Sequence, residues 1–126
     1  MKTIKQRDAS TGCGVAAFAT ATQGFRNYHD CLEWFKENGF VKTNQFVTVP
    51  AMKEAIVQYF GVTPELKYYL NKRYKLALCF GKYEGKNEYR HWFVYFEGHF
   101  YDPCPYINSP IKSTLHEITR VLVLKS

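Results

Sequence analysis

At 126 residues the chain is long enough to bury one core and too short for two, so a single domain spanning residues 1–126 is expected. Hydrophobic residues make up 46% and aromatics 17%, which excludes a disordered chain, while a net charge of +6 leaves acidic partners open. No apolar stretch reaches the length of a membrane span, and the start Met-Lys-Thr-Ile-Lys-Gln-Arg-Asp lacks the apolar region of a secretory signal.

A cytoplasmic location is therefore expected, with Cys13, Cys31, Cys79 and Cys104 as free thiols. The first half reads as helical and the second as strands, which predicts an α+β domain with helices packed on an antiparallel sheet. A first helix is expected from about Cys13 to Gln23, capped by Gly24, with Ala16, Ala17, Ala19 and Ala21 allowing close packing. A second covers Tyr28 to Asn38, with Leu32 and Phe35 on one face and Gly39 ending it. In a third, Thr48 is the N-cap, Pro50 sits in the first turn and Gly61 is the stop. Met52, Ala55, Ile56, Tyr59 and Phe60 follow the spacing of a buried helical stripe, read here as plain core.

After Pro64 a short helical or irregular segment leads to a strand over Lys75 to Tyr83, where Leu76, Leu78 and Phe80 alternate. Gly81 and Glu-Gly-Lys-Asn-Glu at 84–88 supply turn residues, and Arg90 to Phe96 forms the most apolar strand. Glu97-Gly98 turns it back into His99 to Asp102; a Ser109 to Glu117 stretch is a candidate helical turn, and Arg120 to Leu124 is the last strand.

Between 67 and 90, Lys67, Lys72, Arg73, Lys75, Lys82, Lys86 and Arg90 are interleaved with tyrosines and face only Glu84 and Glu88. The segment reads as a solvated hairpin surface in preference to a nucleic-acid site, with an acidic protein partner the alternative. Cys-x-x-Cys and paired-His spacings are absent and His29-x-Cys31 is the one hint of a ligand pair, so no metal and no cofactor are expected.

The chemistry-bearing residues are Gln6, Cys13, His91 and Asp102. A cysteine at a helix start sits where unpaired N–H groups and the helix dipole favour a thiolate. Gly12 and Gly14 would let a substrate backbone approach and leave the Cys13 amide free for an oxyanion. A thiol also needs an imidazole to take its proton and a third group to fix the imidazole. With a two-residue turn at Glu97-Gly98, Asp102 falls opposite Phe93 and therefore diagonal to His91 on one face, about 7–8 Å away between Cα atoms. A three-residue turn would put Asp102 on the opposite face. His29, His99 and His116 are the competing bases, and Cys104 is a possible redox partner for Cys13.

Gln6, Cys13-Gly14-Val15-Ala16-Ala17, His91-Trp92-Phe93-Val94 and Tyr101-Asp102-Pro103 together resemble a papain-like cysteine peptidase, in particular the bacteriocin-leader-processing (double-glycine) peptidases and their stand-alone relatives. The third-helix segment Val-Thr-Val-Pro-Ala-Met-Lys-Glu-Ala-Ile resembles the helix between the motifs. The resemblance implies a papain-like fold in which Cys13 is the nucleophile, His91 the base and acid, Asp102 the orienting carboxylate and Gln6 an oxyanion donor. Gln6 stands one position further from Cys13 than the pattern has, which requires a bulge if it is the donor. The implied activity is hydrolysis of a peptide or amide bond in a peptide or protein substrate. A second reading is a non-catalytic papain-fold binding or inhibitor module that grips an acidic protein or nucleic acid through residues 67–90.

Overall fold

The computed structural model describes residues 1–7, 11–41, 44–83, 90–114 and 116–126, with the backbone alone at Tyr83. Among them, helices α1 (Cys13–Thr22), α2 (Tyr28–Glu37) and α3 (Val49–Phe60) precede strands β1 (Glu65–Lys67), β2 (Leu76–Tyr83), β3 (Arg90–Phe96), β4 (His99–Tyr101) and β5 (His116–Lys125). The strands form one antiparallel sheet in the order β1-β5-β2-β3-β4, so the expected α+β division of the chain is borne out. No helix among the described residues is long and apolar enough to cross a membrane.

Nine of the ten residues of α1 are buried, which its small alanines permit, because other elements approach it from all sides. Its end differs from expectation. Gln23, not Gly24, takes the left-handed cap conformation at φ 53°. The Gln23 side chain offsets that strain by donating to the Thr20 carbonyl at 2.7 Å and the Lys2 carbonyl at 2.6 Å. Gly24 is there for space, since a Cβ at that position would collide with the Tyr59 hydroxyl.

In α2 the Asn27 side chain accepts from the Asp30 amide at 2.9 Å, and Gly39 follows at φ 74°. In α3 Thr48 accepts from the Ala51 amide at 3.2 Å and Gly61 caps the end. Met52, Ala55 and Ile56 are fully buried, whereas Tyr59 is 39% exposed, so the stripe fades into solvent toward the end of the helix.

Two segments differ from the sequence reading. Glu65–Lys67 is a strand, held by pairing with Val121 to Val123 of β5. The 109–114 stretch makes no helical turn; Ile111 instead exchanges backbone hydrogen bonds with Phe100, at 2.7 and 2.9 Å. β5 also begins at His116, four residues before its apolar alternation becomes visible, because it continues pairing past a register shift between Phe80 and Gly81. The turn expected at 84–88 lies outside the described residues.

Apolar packing covers both faces of the sheet. Leu76, Leu78, Trp92, Val94 and Leu122 face the helices, while Ala77, Cys79, Phe93, Tyr95, Phe100, Val121 and Val123 form a second cluster on the far side. Leu70, Tyr74 and Ile111 close that second cluster, and the Tyr95 hydroxyl donates to the Lys72 carbonyl at 2.6 Å.

Candidate active site

The β3–β4 hairpin places the first part of the site. Glu97 and Gly98 have φ of 45° and 86°, the pair of left-handed residues that a tight two-residue turn needs. Phe96 pairs with His99, Tyr95 with Phe100 and Val94 with Tyr101, which is the register expected from a two-residue turn. Asp102 follows directly, and its Oδ1 lies 2.6 Å from His91 Nε2. The same oxygen accepts from the Cys104 amide at 2.9 Å, and the Asp102 amide donates to Ser109 Oγ at 2.8 Å. Asp102 is 1% exposed, so its carboxylate is held by the protein and not by bulk water.

Lys5 fastens this loop from outside. Its ammonium donates to the carbonyls of Asp102 at 2.8 Å, Cys104 at 3.1 Å and Ile107 at 2.6 Å. The neighbouring Gln6 amide donates to the Pro103 carbonyl at 2.9 Å, while the Ile4 amide donates to Thr20 Oγ1 of α1 at 2.9 Å. One short N-terminal segment thus ties the Asp102 loop to the helix that carries Cys13.

Cys13 is the first residue of α1, whose N-terminus has no side-chain cap. The Trp92 amide donates to Cys13 Sγ at 3.4 Å, which sets the thiol beside the strand that carries His91, and Cys13 is among the groups that raise the His91 pKa. Gly14 is required by the layer contact itself, since a Cβ there would lie 2.8 Å from Val47 Cβ and 3.0 Å from Trp92 Cδ1. At Gly12 a Cβ would meet the Tyr28 hydroxyl at 2.6 Å and Gln6 Cβ at 3.3 Å. The two glycines therefore serve close packing of the protein on itself, where a substrate backbone was expected. The same contact puts buried Gln6 beside the start of α1; the span in which a bulge was expected includes residues 8–10, outside the described residues.

Burial alone would favour a neutral His91, but its hydrogen bonds to Asp102 and Cys13, and their charges, outweigh burial and raise its pKa to about 9. The ring that sequence reasoning set aside is also here. His116 stacks on His91 with centroids 4.5 Å apart and planes 20° apart, and its Nδ1 lies 3.8 Å from Asp102 Oδ2. His29 is exposed on α2 and His99 sits at the hairpin turn, so neither joins the cluster. Cys31 and Cys79 are buried thiols whose pKa burial pushes up, and Cys104 is a free, half-buried thiol next to Asp102.

No family model and no curated protein matches this sequence. The chemistry of the site therefore has to be read from its own atoms. His91, Asp102 and His116 bring three possible ligand atoms within 4.8 Å of one another. The two imidazoles are nearly parallel, however, so their in-plane lone pairs run side by side and do not converge on one ion. The 2.6 Å contact from His91 to Asp102 is likewise a hydrogen-bond distance.

The helix-facing side of the sheet also carries a cavity of about 410 Å³ lined by Val49, Phe80, Lys82, Arg90, Thr119 and Arg120, and the Phe80 ring lies 4.6 Å from that of Trp92. In the basic segment, Lys67 pairs with Glu65 at 2.6 Å and Arg120 lies 4.6 Å over the Tyr68 ring. Its residues 84–89 lie outside the described residues.

Proposed function

We propose that the chain is a thiol hydrolase of papain-like fold, a cysteine peptidase acting on a peptide or amide bond in the cytoplasm. One observation supports the reading: the buried His91 ring is hydrogen-bonded to Asp102 at 2.6 Å, and Cys13, whose Sγ accepts from the Trp92 amide next to His91, is among the groups that raise the ring's pKa. That is the connectivity a thiol nucleophile needs, with a base to hold its proton and a carboxylate to fix the base.

In the proposed reaction the Cys13 thiolate adds to the carbonyl carbon of the substrate. The negative charge that develops on oxygen is met by the Cys13 backbone N–H at the uncapped helix end, with the Gln6 side chain the second donor. His91 then gives its proton to the departing amine as the C–N bond breaks, leaving a thioester on Cys13. Water, deprotonated by His91, attacks the thioester and releases the acid and the free thiol. Asp102 keeps the ring in one orientation through both proton transfers and favours its charged form.

The test is a panel of electrophilic peptide probes against the native chain and Cys13→Ser. Adducts that require Cys13 and are lost in His91→Ala support the reading; no Cys13-dependent adduct with any probe refutes it. The second reading, a binding module, draws on Tyr68 and Tyr69, which are 62% and 69% exposed beside the basic residues. It predicts salt-sensitive capture of an acidic protein that Cys13→Ala leaves unchanged.

A further inference from the structure

We propose that His116 is a positioning residue for His91: its ring packs flat on the base and turns its Nδ1 edge toward the second oxygen of Asp102, holding the imidazole in the plane that joins Cys13 to Asp102. The proposal rests on the thiol-hydrolase reading above and adds a fourth member to its machinery.

The need for such a residue comes from the geometry of histidine. Rotation about the Cβ–Cγ bond of an imidazole is soft and roughly two-fold, so a hydrogen bond at one ring nitrogen does not fix the ring plane. A second flat ring laid against the first removes that freedom. His116 and His91 are 4.5 Å apart at 20°, and Phe93 completes the stack at 5.2 Å from His116 and 6.0 Å from His91. The His116 side chain is 0% exposed. Its Nδ1 is 3.8 Å from Asp102 Oδ2, too long for a hydrogen bond, and 3.2 Å from Thr114 Oγ1, which anchors the edge.

The sheet is built to bring β5 this close. A Cβ at Gly81 would lie 2.5 Å from the Glu117 carbonyl oxygen and 3.4 Å from His116 Cβ, so glycine on β2 is what admits the ring of β5. The titratable groups that face His116 include His91 from β3 and Asp102 from the loop after β4; Glu117 beside it is exposed and pairs with Lys82 at 3.6 Å. Burial first and the His91 charge second push the His116 pKa down to about 4, against the opposite pull of Asp102. Like charge on two rings stacked this closely is unfavourable, and the positive charge is favoured on His91, the ring bonded to Asp102 at 2.6 Å.

The experiment follows Cys13 alkylation by iodoacetamide against pH in the native chain, His116→Ala, His116→Phe and His116→Asn, with circular dichroism as the folding control. In the native chain Cys13 reacts faster than the other three cysteines and the profile has a step near pH 9, where His91 loses its proton. His116→Ala lowers the rate of Cys13 alkylation and moves the step down by about one pH unit or more. Phenylalanine, which keeps the flat ring, and asparagine, which keeps a polar edge, each recover part of the loss. A folded alanine variant with the native rate and step overturns the proposal, as does failure of both replacements to recover anything. If alanine does not fold, His116→Asn, which lacks the flat ring, decides: a folded variant with a lowered rate and step supports the proposal, and the native rate and step overturn it. Native Cys13 reacting no faster than its fellow cysteines would instead overturn the hydrolase reading and this inference with it.

Discussion

Replacing Asp102 with Asn removes one charge and leaves the shape of the loop, because an amide oxygen still accepts from the Cys104 N–H that Asp102 Oδ1 holds at 2.9 Å. The carboxylate at 2.6 Å is a principal reason that the buried His91 has a pKa of about 9, compared with an ordinary 6.5. An opposite charge at that distance holds an imidazole up by about one to three pH units, so its loss brings His91 down to roughly 7. The consequence depends on pH. At pH 8 the protonated ring falls from about nine-tenths to about one-tenth of the molecules, while at pH 6 it falls only from nearly all to about nine-tenths. NMR titration of the His91 ring nitrogens therefore shows its midpoint falling by about two pH units, and Cys13-dependent probe acylation falls about tenfold at pH 8 and far less at pH 6. A midpoint still near 9 would refute the claim that Asp102 holds the proton on His91. An acylation loss of equal size at both pH values would refute the electrostatic account and leave orientation as the whole effect.

Chemical denaturation should show stability falling on both sides of about pH 6.5. His91 has a folded pKa raised from 6.5 to about 9, so its contribution is complete below 6.5 and is lost as pH rises through 9; His116 is lowered to about 4, so its contribution is present above 6.5 and is lost as pH falls toward 4. Stability that is flat between pH 4.5 and 9 would contradict both assignments. Gly81→Ala drives a methyl group to 2.5 Å from the Glu117 backbone and should cost about 1–3 kcal/mol by urea denaturation, whereas Gly24→Ala meets only the far end of the movable Tyr59 and should cost less. Lys5→Met releases the three carbonyls that the ammonium gathers and should lower the melting temperature by a few degrees, corresponding to about 1 kcal/mol. Inserting one glycine into the Glu97-Gly98 turn displaces Asp102 from its partner and should bring the His91 midpoint down as Asp102→Asn does.

What was legible in the sequence was whatever is decided locally. Thr48, Gly61 and the Glu97-Gly98 turn mark their elements through backbone chemistry within a few residues, and the hairpin register that brings Asp102 to His91 follows from the turn alone. The misses came from contacts between distant segments. β1 is three residues long and exists through pairing with β5, so nothing within Glu65–Lys67 announces it. Gly24 looked like a helix cap because the Tyr59 hydroxyl that excludes a side chain there comes from another helix. His116, one of the competing bases, has no strand and nearby Asp following it as His91 has; its place beside His91 depends on β5 pairing with β2, which is itself paired with β3. The signal that could have found it was Gly81, a glycine inside an apolar alternating run, which often marks a bulge or a close approach.

His91 and Asp102 belong to one hairpin, joined by a two-residue turn and its cross-strand bonds, whereas Cys13 arrives on a different layer of the molecule. The alignment of His91 with Asp102 is thus set by the register of that hairpin, and the gap to the Cys13 sulfur is governed separately, by how closely α1 settles against β3 at Gly14, Val47 and Trp92. Adding or removing a methyl group at that seam would act as a spacer, retuning the Cys13 sulfur's distance from a His91–Asp102 pair whose own alignment stays as it was.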